Sequence, residues 1–398
     1  MATTDYSRRD FLLKSGLTAI PFVTAMPALG KAAFDPEPKF MDQEASPINF
    51  TAAGLYLSSD QYLQKLQEIH AKEPIAADVY GMGGVTKALE EAFVRQTQKE
   101  AAKYLPSGTM ANQLAIRLLN GDKTKVLVPD NSHLFRDEAD SAQSVHRLRL
   151  VPVDTQKPYF DLEDLKRTID YLAAHEVFES GLGTVAIESP VRRADQIAVP
   201  LSVLQQISRY CRDQGLKLHL DGSRLHLAAA FTGISIAEYS ALFDTVYISL
   251  YKCLNAAGGA VLCGDQELID RLDHQIKILG GTMFGSWMNT AVALHYLDGI
   301  EERFGRVKAR ADQFTQRLNQ LDGVEVQAIE HGTFVYRLRL PDGLNEGELR
   351  KILAERHRLY IRITGTGTLP LSINEGILSR DLDALVGAWE EALAEARG

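Results

Sequence analysis

Cysteine is scarce in this chain. Its 398 residues hold three, Cys211, Cys253 and Cys263, odd in number and too scattered for a disulfide framework or a paired CxxC zinc site. No HExxH pattern occurs, and the ten histidines show no ligand spacing, so metal binding is not suggested. A G-x-G-x-x-G turn after the first strand-like run is also missing, which argues against a nucleotide-binding oxidoreductase. Positive charge is in deficit: 43 Lys and Arg against 52 Asp and Glu leave a net charge of −9. That balance opposes a general affinity for nucleic acid or an anionic membrane. Internal repeats and low-complexity segments are absent, and hydrophobic residues make up 45% of a length that can carry two domains and a substantial core.

What is present begins with "SRRDFLLKSGLTAIPFVTAMPALGKAA". Adjacent Arg8 and Arg9 precede a short apolar segment that Pro21 and Pro27 break, too short to span a bilayer. The pattern resembles a bacterial twin-arginine export signal over residues 1–32, with small-residue cleavage sites after Gly30 or Ala32. It implies the twin-arginine export machinery as a partner and a periplasmic location. The proline-rich stretch at 33–48 reads as a linker or arm.

Beyond it, short β-branched runs such as "KVLVPD", "TVAIESP", "LKLHLDG" and "DTVYISL" are mostly separated by amphipathic helical segments. This alternation predicts an α/β fold, a large domain over 49–284 with a mainly parallel sheet between helices. From about residue 285 a long helix leads into "VEVQAI", "TFVYRLRL" and "LYIRIT", which predicts a smaller C-terminal α+β domain over 285–398.

Three charges interrupt core-like runs. Asp221 and Arg224 follow "LKLHL", and Lys252 follows "TVYISLY". Buried charges are costly unless they are paired or bind something, and the C-terminal ends of strands are where open α/β sheets bind ligands. Upstream, "LPSGTMANQLAI" places Ser107, Gly108 and Thr109 at a strand-to-helix turn whose N–H groups suit a phosphate, although Ser and Thr also favour N-caps with no ligand. A phosphate turn, a carboxylate and an amine are together the parts of a pyridoxal 5′-phosphate site.

From about Asn49 onward the chain resembles the threonine aldolase and β-eliminating lyase group of fold-type-I pyridoxal phosphate enzymes. "DVYG", "PSGTMANQLAI", "HLFRDEA", "HLDGSRL", "LYKCL" and "KILGGTMFGS" stand in that group's order and spacing. The resemblance implies that Lys252 bonds to the cofactor aldehyde, Asp221 pairs with its pyridinium nitrogen and Arg224 lies near the ring hydroxyl and substrate. It further implies that His133 stacks on the ring and relays a proton, and that Ser107, Gly108 and Thr109 hold the phosphate. Tyr80, with Gly81, and Glu138 become candidates for the substrate side. His219 reads as core. The implied reaction is cleavage of a β-hydroxy amino acid to glycine and an aldehyde, with β-elimination, other amino-acid chemistry or a catalytically degenerate cofactor-binding protein as alternatives. A homodimer or homotetramer is implied in the same way.

The departures concern the substrate. The group's "RSDT" is Thr51-Ala52-Ala53-Gly54, the serine before the lysine is Tyr251, and two arginine positions fall near Pro370 and at Phe284. Losing two carboxylate contacts costs ~1.5–3 kcal/mol each. Arg192, Arg193 or Arg362 is therefore expected to supply a relocated anion clamp.

Overall fold

The computed structural model describes residues 46–153 and 156–397, so the expected export signal and most of the 33–48 arm lie outside the described residues. The described chain divides into two compact units, one of 53–309 with 327–336 and the other of 46–52, 310–326 and 337–397. This differs from the expected boundary at 284. The helix Trp287–Leu297 packs with the larger unit because its small residues meet α1 (Gly84–Thr97), where the hydroxyls of Thr86 and Thr290 lie 2.9 Å apart in a buried setting.

The larger unit is built on a seven-stranded sheet. In chain order its strands are β1 (Ala101–Leu105), β2 (Lys125–Pro129), β3 (Arg149–Val153), β4 (Leu182–Glu188), β5 (Lys217–Asp221), β6 (Thr245–Ser249) and β7 (Ala260–Gly264). Their spatial order is β1-β7-β6-β5-β4-β2-β3. Strand β7 runs antiparallel to both neighbours, and the remaining pairs are parallel. Parallel strands sheathed by helices are buried on both faces and read as continuous apolar runs; β2, β6 and β7 are buried at every position. The C-terminal ends of β1, β2, β4, β5 and β6 share one edge, and the charged interruptions seen in the sequence gather there.

Helix α2 (Gly108–Asn120) shows how the sequence fixes one such edge. Ser107 caps it by accepting the Met110 N–H at 3.2 Å, and Ala111, Leu114, Ala115 and Leu118 recur at helical spacing. They pack with Leu105, Tyr247, Ala260 and Leu262 in one apolar cluster. Gly121, at positive φ, ends the helix.

The smaller unit has its own core: Phe50 stacks on Phe314 at 5.7 Å, and Trp389 meets Phe50 edge-on at 6.1 Å. Short parallel pairing joins Ile48–Asn49 to Leu359–Tyr360. Asn374 donates through Nδ2 to the carbonyls of Asn49 and Ala52, at 2.8 and 2.9 Å. No helix among the described residues is long and apolar enough to cross a membrane.

Candidate active site

Parallel pairing puts Glu188, the last residue of β4, opposite Asp221, the last of β5, while Tyr247 of β6 stands opposite Asp221 on the other side. Lys252 follows β6 by three residues and is 6% exposed. The strand register alone therefore gathers two acids and an amine at one edge. The turn holding Lys252 is braced from residues 54 and 55: Leu55 N–H donates to Asn255 Oδ1 at 2.8 Å. A Cβ added at Gly54 would stand 1.9 Å from the Lys252 carbonyl oxygen. Gly54→Ala must push that turn aside, so we expect a lower melting temperature together with reduced retention of the cofactor on gel filtration; an unchanged holoprotein would contradict the bracing.

Asp221 is held from two directions. Its Oδ1 accepts the Ser223 N–H at 3.1 Å, and its Oδ2 accepts from Asn112 Nδ2 at 2.9 Å. The same Asn112 amide group donates to Glu138 Oε1 at 2.8 Å, and its Oδ1 lies 3.0 Å from His219 Nε2. Asn112 is thus read as acceptor from His219 and donor to two acids, since the flipped amide would set its oxygen against two carboxylates. His219, expected as core, is buried and also meets Thr245 Oγ1 through Nδ1 at 2.9 Å. Burial drives its pKa down to about 4, so the neutral ring donates from Nε2 and accepts at Nδ1. A chain of buried hydrogen bonds thereby fixes the acid at 221.

Burial opposes the Asp221 charge, but Lys252, His133 and the Asn112 bond outweigh it and hold the carboxyl below its ordinary value. Glu138 goes the other way: burial raises it, and its bonds to His133 and Asn112 only partly compensate. Glu188 is also raised, by burial and then by the charge of Asp221. Two environments thus separate three acids, one favoured as carboxylate and two pushed toward the neutral form. His133 Nδ1 lies 3.2 Å from Glu138 Oε1, and its backbone N–H donates to Glu188 Oε2 at 2.6 Å. In the tautomer that donates from Nδ1 to Glu138, Nε2 is the ring nitrogen left to accept a proton.

Burial pushes the Lys252 amine down to about 7, and Arg224 beside it acts in the same direction; Asp221 and Glu188 oppose them only in part. A lysine at that value supplies neutral amine near pH 7, which is the form that attacks a carbonyl. Lys252 Nζ also lies 5.5 Å from the centre of the Tyr251 ring.

Two atoms indicate that a further polar group belongs here. Arg224 Nε and Glu138 Oε2 are buried with no hydrogen-bond partner, and orphaned buried polar atoms call for an explanation. The turn at the start of α2 lies against Tyr247, the residue opposite Asp221, whose hydroxyl oxygen would be 2.0 Å from a Cβ at Gly108. Only a glycine lets that backbone settle there. Ser107 Oγ accepts at the cap and keeps its O–H to donate, so that hydroxyl and the backbone N–H groups of Gly108 and Thr109 are the first-turn donors for an anion. This constellation fits pyridoxal phosphate, with an anion on the α2 turn, an acid at 221, a guanidinium at 224 and a poised amine at 252.

The structure treats the other expected residues differently. Arg192 and Arg193 are not bare loop charges. Both pair with Asp137, Arg192 Nη1 to Oδ2 at 2.9 Å and Arg193 Nη2 to Oδ1 at 2.5 Å. Tyr80 packs its ring edge-on against Phe284 at 5.4 Å and lines a cleft of about 300 Å³ with Lys277, Pro106 and Met283. Arg362 is exposed and belongs to the smaller unit. Sequence reasoning missed Glu188, Asn112, Asp137 and Tyr56. Glu188 ends an apolar run in the same manner as Asp221, and that signal was readable.

Comparison with known proteins gives a family and a fold. The family described as beta-eliminating lyase matches residues 57–337. The chain is 32% identical over 222 residues to a low-specificity L-threonine aldolase of Candida albicans, covering 55% of this chain and 59% of that protein. Its identity to the low specificity L-threonine aldolase of Saccharomyces cerevisiae is 30% over 259 residues, 62% of this chain and 64% of the other. Both matches span less than two thirds of the relative's own length. A solved structure from Exiguobacterium sp. 255-15, assigned as an aromatic amino acid beta-eliminating lyase/threonine aldolase, superposes with a TM-score of 0.73 at 24% identity, over 88% of this chain and 97% of that one.

Proposed function

The chain belongs to the beta-eliminating lyase family, and from that membership and the cluster around Lys252 we propose a pyridoxal phosphate-dependent lyase that cleaves a β-hydroxy amino acid, threonine-like in its reacting part, to glycine and an aldehyde. The observation that carries the reading is a buried lysine with its pKa brought to about 7, adjoining an acid held as carboxylate at the end of the neighbouring strand. Bound pyridoxal phosphate supplies an aldehyde for the substrate amine and a protonated pyridine that draws electrons from the bond broken at Cα.

The chain's own residues do the rest. Gly108 and Thr109 would offer N–H groups to the phosphate, and Arg224, with its unpaired Nε, would be a donor for the ring hydroxyl. Asp221, locked by Asn112 and Ser223, keeps the proton on the pyridine nitrogen. Lys252, supplied in part as free amine near pH 7, would be the residue that holds the cofactor through its aldehyde. His133, fixed through Nδ1 on Glu138, receives the β-hydroxyl proton at Nε2 as the Cα–Cβ bond opens. The aldehyde would leave, and the proton taken up at His133 balances the one that Cα must gain for glycine to form.

A screen of purified holoprotein against β-hydroxy and other β-substituted amino acids tests this. Equal amounts of aldehyde and glycine are expected; pyruvate with ammonia would replace the reading by β-elimination. Two accompanying proposals rest on separate observations. Self-association as a homodimer or homotetramer is supported by the exposed apolar group Val79, Tyr80, Met82, Met283 and Phe284, and a monomer in light scattering would end it. Export to the periplasm by the twin-arginine machinery rests on Arg8 and Arg9; a reporter fused to residues 1–48 that stays inside the cell would end that.

A further inference from the structure

We propose that Arg192 is the anchor for the α-carboxylate of the substrate, positioned for this by Asp137 and Glu188. The inference rests on the amino-acid reading above and deepens it.

Glu188 brings Arg192 to the site. Its two carboxyl oxygens divide between two backbones: Oε1 accepts the Arg192 N–H at 2.8 Å, and Oε2 accepts the His133 N–H at 2.6 Å. Since Glu188 also stands in register with Asp221, one buried side chain sets the spacing between the 189–197 loop, His133 and the acid at 221. The loop is tied down elsewhere in the same unit: Val191 N–H bonds to Ile197 O at 2.8 Å, and Thr333 Oγ1 donates to Gln196 O at 2.7 Å. Its charge is therefore preorganised, which lowers the cost of binding.

The Asp137 cluster has charge to spare. Asp137, 1% exposed, takes Arg193 through Nε at 3.1 Å and Nη2 at 2.5 Å, and takes Arg192 through Nη1 at 2.9 Å. One carboxylate between two guanidiniums leaves a positive charge uncompensated within the trio. Arg193, 44% exposed, faces water, whereas Arg192 is 18% exposed. The inner guanidinium commits one nitrogen to Asp137 and keeps others for a second carboxylate, the bidentate geometry in which arginine excels.

Two tyrosines mark where its field falls. Tyr56 and Tyr251 keep 45% and 36% of their surface exposed; desolvation by the surrounding protein still raises both hydroxyls, and in both cases Arg224 and Arg192 work against that rise. Tyr56 sits at φ 51, a conformation that costs energy for a bulky residue and tends to persist at functional sites. The charges of both guanidiniums therefore reach both hydroxyls, and Tyr251 is the chain neighbour of Lys252. A substrate bound through its amine near Lys252 carries its carboxylate one carbon away, and Glu188, in register with Asp221, holds the Arg192 backbone at that same end of the sheet.

The test uses calorimetric titration of the holoprotein with glycine, which has the carboxylate, and with ethanolamine, which has only the amine. Arg192→Ala is expected to weaken glycine binding about 10- to 100-fold, the range of a charge-assisted bond, and to leave ethanolamine within about twofold of wild type. Arg192→Lys should recover part of the loss, and Asp137→Asn should reproduce part of it. Unchanged glycine affinity in Arg192→Ala, or equal weakening of both ligands, overturns the assignment. The visible cofactor band separates the two levels: its presence in wild type with unaltered glycine binding in the variant defeats the anchor alone, and its absence from wild type defeats the amino-acid reading and the anchor with it.

Discussion

Replacing Lys252 by methionine is expected to reduce turnover to background and, in the apoprotein, to raise the melting temperature. Both effects have one cause. Burial and Arg224 bring the amine to about 7 from an ordinary 10.5. In the unfolded chain it keeps its proton to the higher value, so between the two pH values the unfolded state binds the extra proton and stability rises with pH. The penalty for holding the charged amine is complete below pH 7 and lost as pH climbs toward 10.5. At about 1.4 kcal/mol per unit over the fall from 10.5 to about 7 it is on the order of 5 kcal/mol at pH 6. Thermal scans of apoprotein at pH 6 and pH 10 check this: Lys252→Met should gain most at pH 6 and little at pH 10. Equal gains at both would mean that packing, not charge, is responsible. The trade of stability for a reactive amine is what functional sites commonly show.

Asp221→Asn is the second large effect. The variant keeps the shape but removes a charge that Lys252, Glu138 and Glu188 all feel. Without it the pyridine nitrogen would lose its charged partner, and the amide offers one acceptor where the carboxylate offered two, so either Asn112 Nδ2 or the Ser223 N–H is left facing a donor. Loss of a preorganised electrostatic group of this kind costs about 10²–10³-fold in kcat. Because Asp221 works to raise Lys252, the lysine pKa in the variant should fall below its value near 7, and the acid limb of the pH profile for cofactor loading should move to lower pH. A kcat within about twofold of wild type, or an acid limb shifted upward, would contradict this role.

Much of the site was legible because it breaks local rules. Asp221, Arg224 and Lys252 interrupt apolar runs at strand ends, and a charge in such a place has few structural explanations. The α/β alternation foretold the parallel core, since short continuous apolar runs separated by helical spacing have little other solution. What stayed hidden depended on register. Asn112 lies within the amphipathic pattern of α2 and looks like a polar helix residue; only packing of α2 over β5 brings it to Asp221, His219 and Glu138. Glu188 needed the β4–β5 register to meet Asp221. Asp137 reads as a surface acid until the 189–197 loop folds its two arginines onto it. The domain boundary differed for a related reason: the helix at 287–297 has the composition of its neighbours in sequence but the packing partners of α1.

The most direct measurement is where the cofactor attaches. Wild-type protein loaded with pyridoxal phosphate, reduced with borohydride, digested and mapped by mass spectrometry should carry the added pyridoxyl phosphate mass on the peptide containing Lys252 and on no other lysine. A reduced adduct on Lys99, Lys103 or Lys277, or no adduct at all after a visible band has formed, would contradict the placement of the reaction at the end of β6.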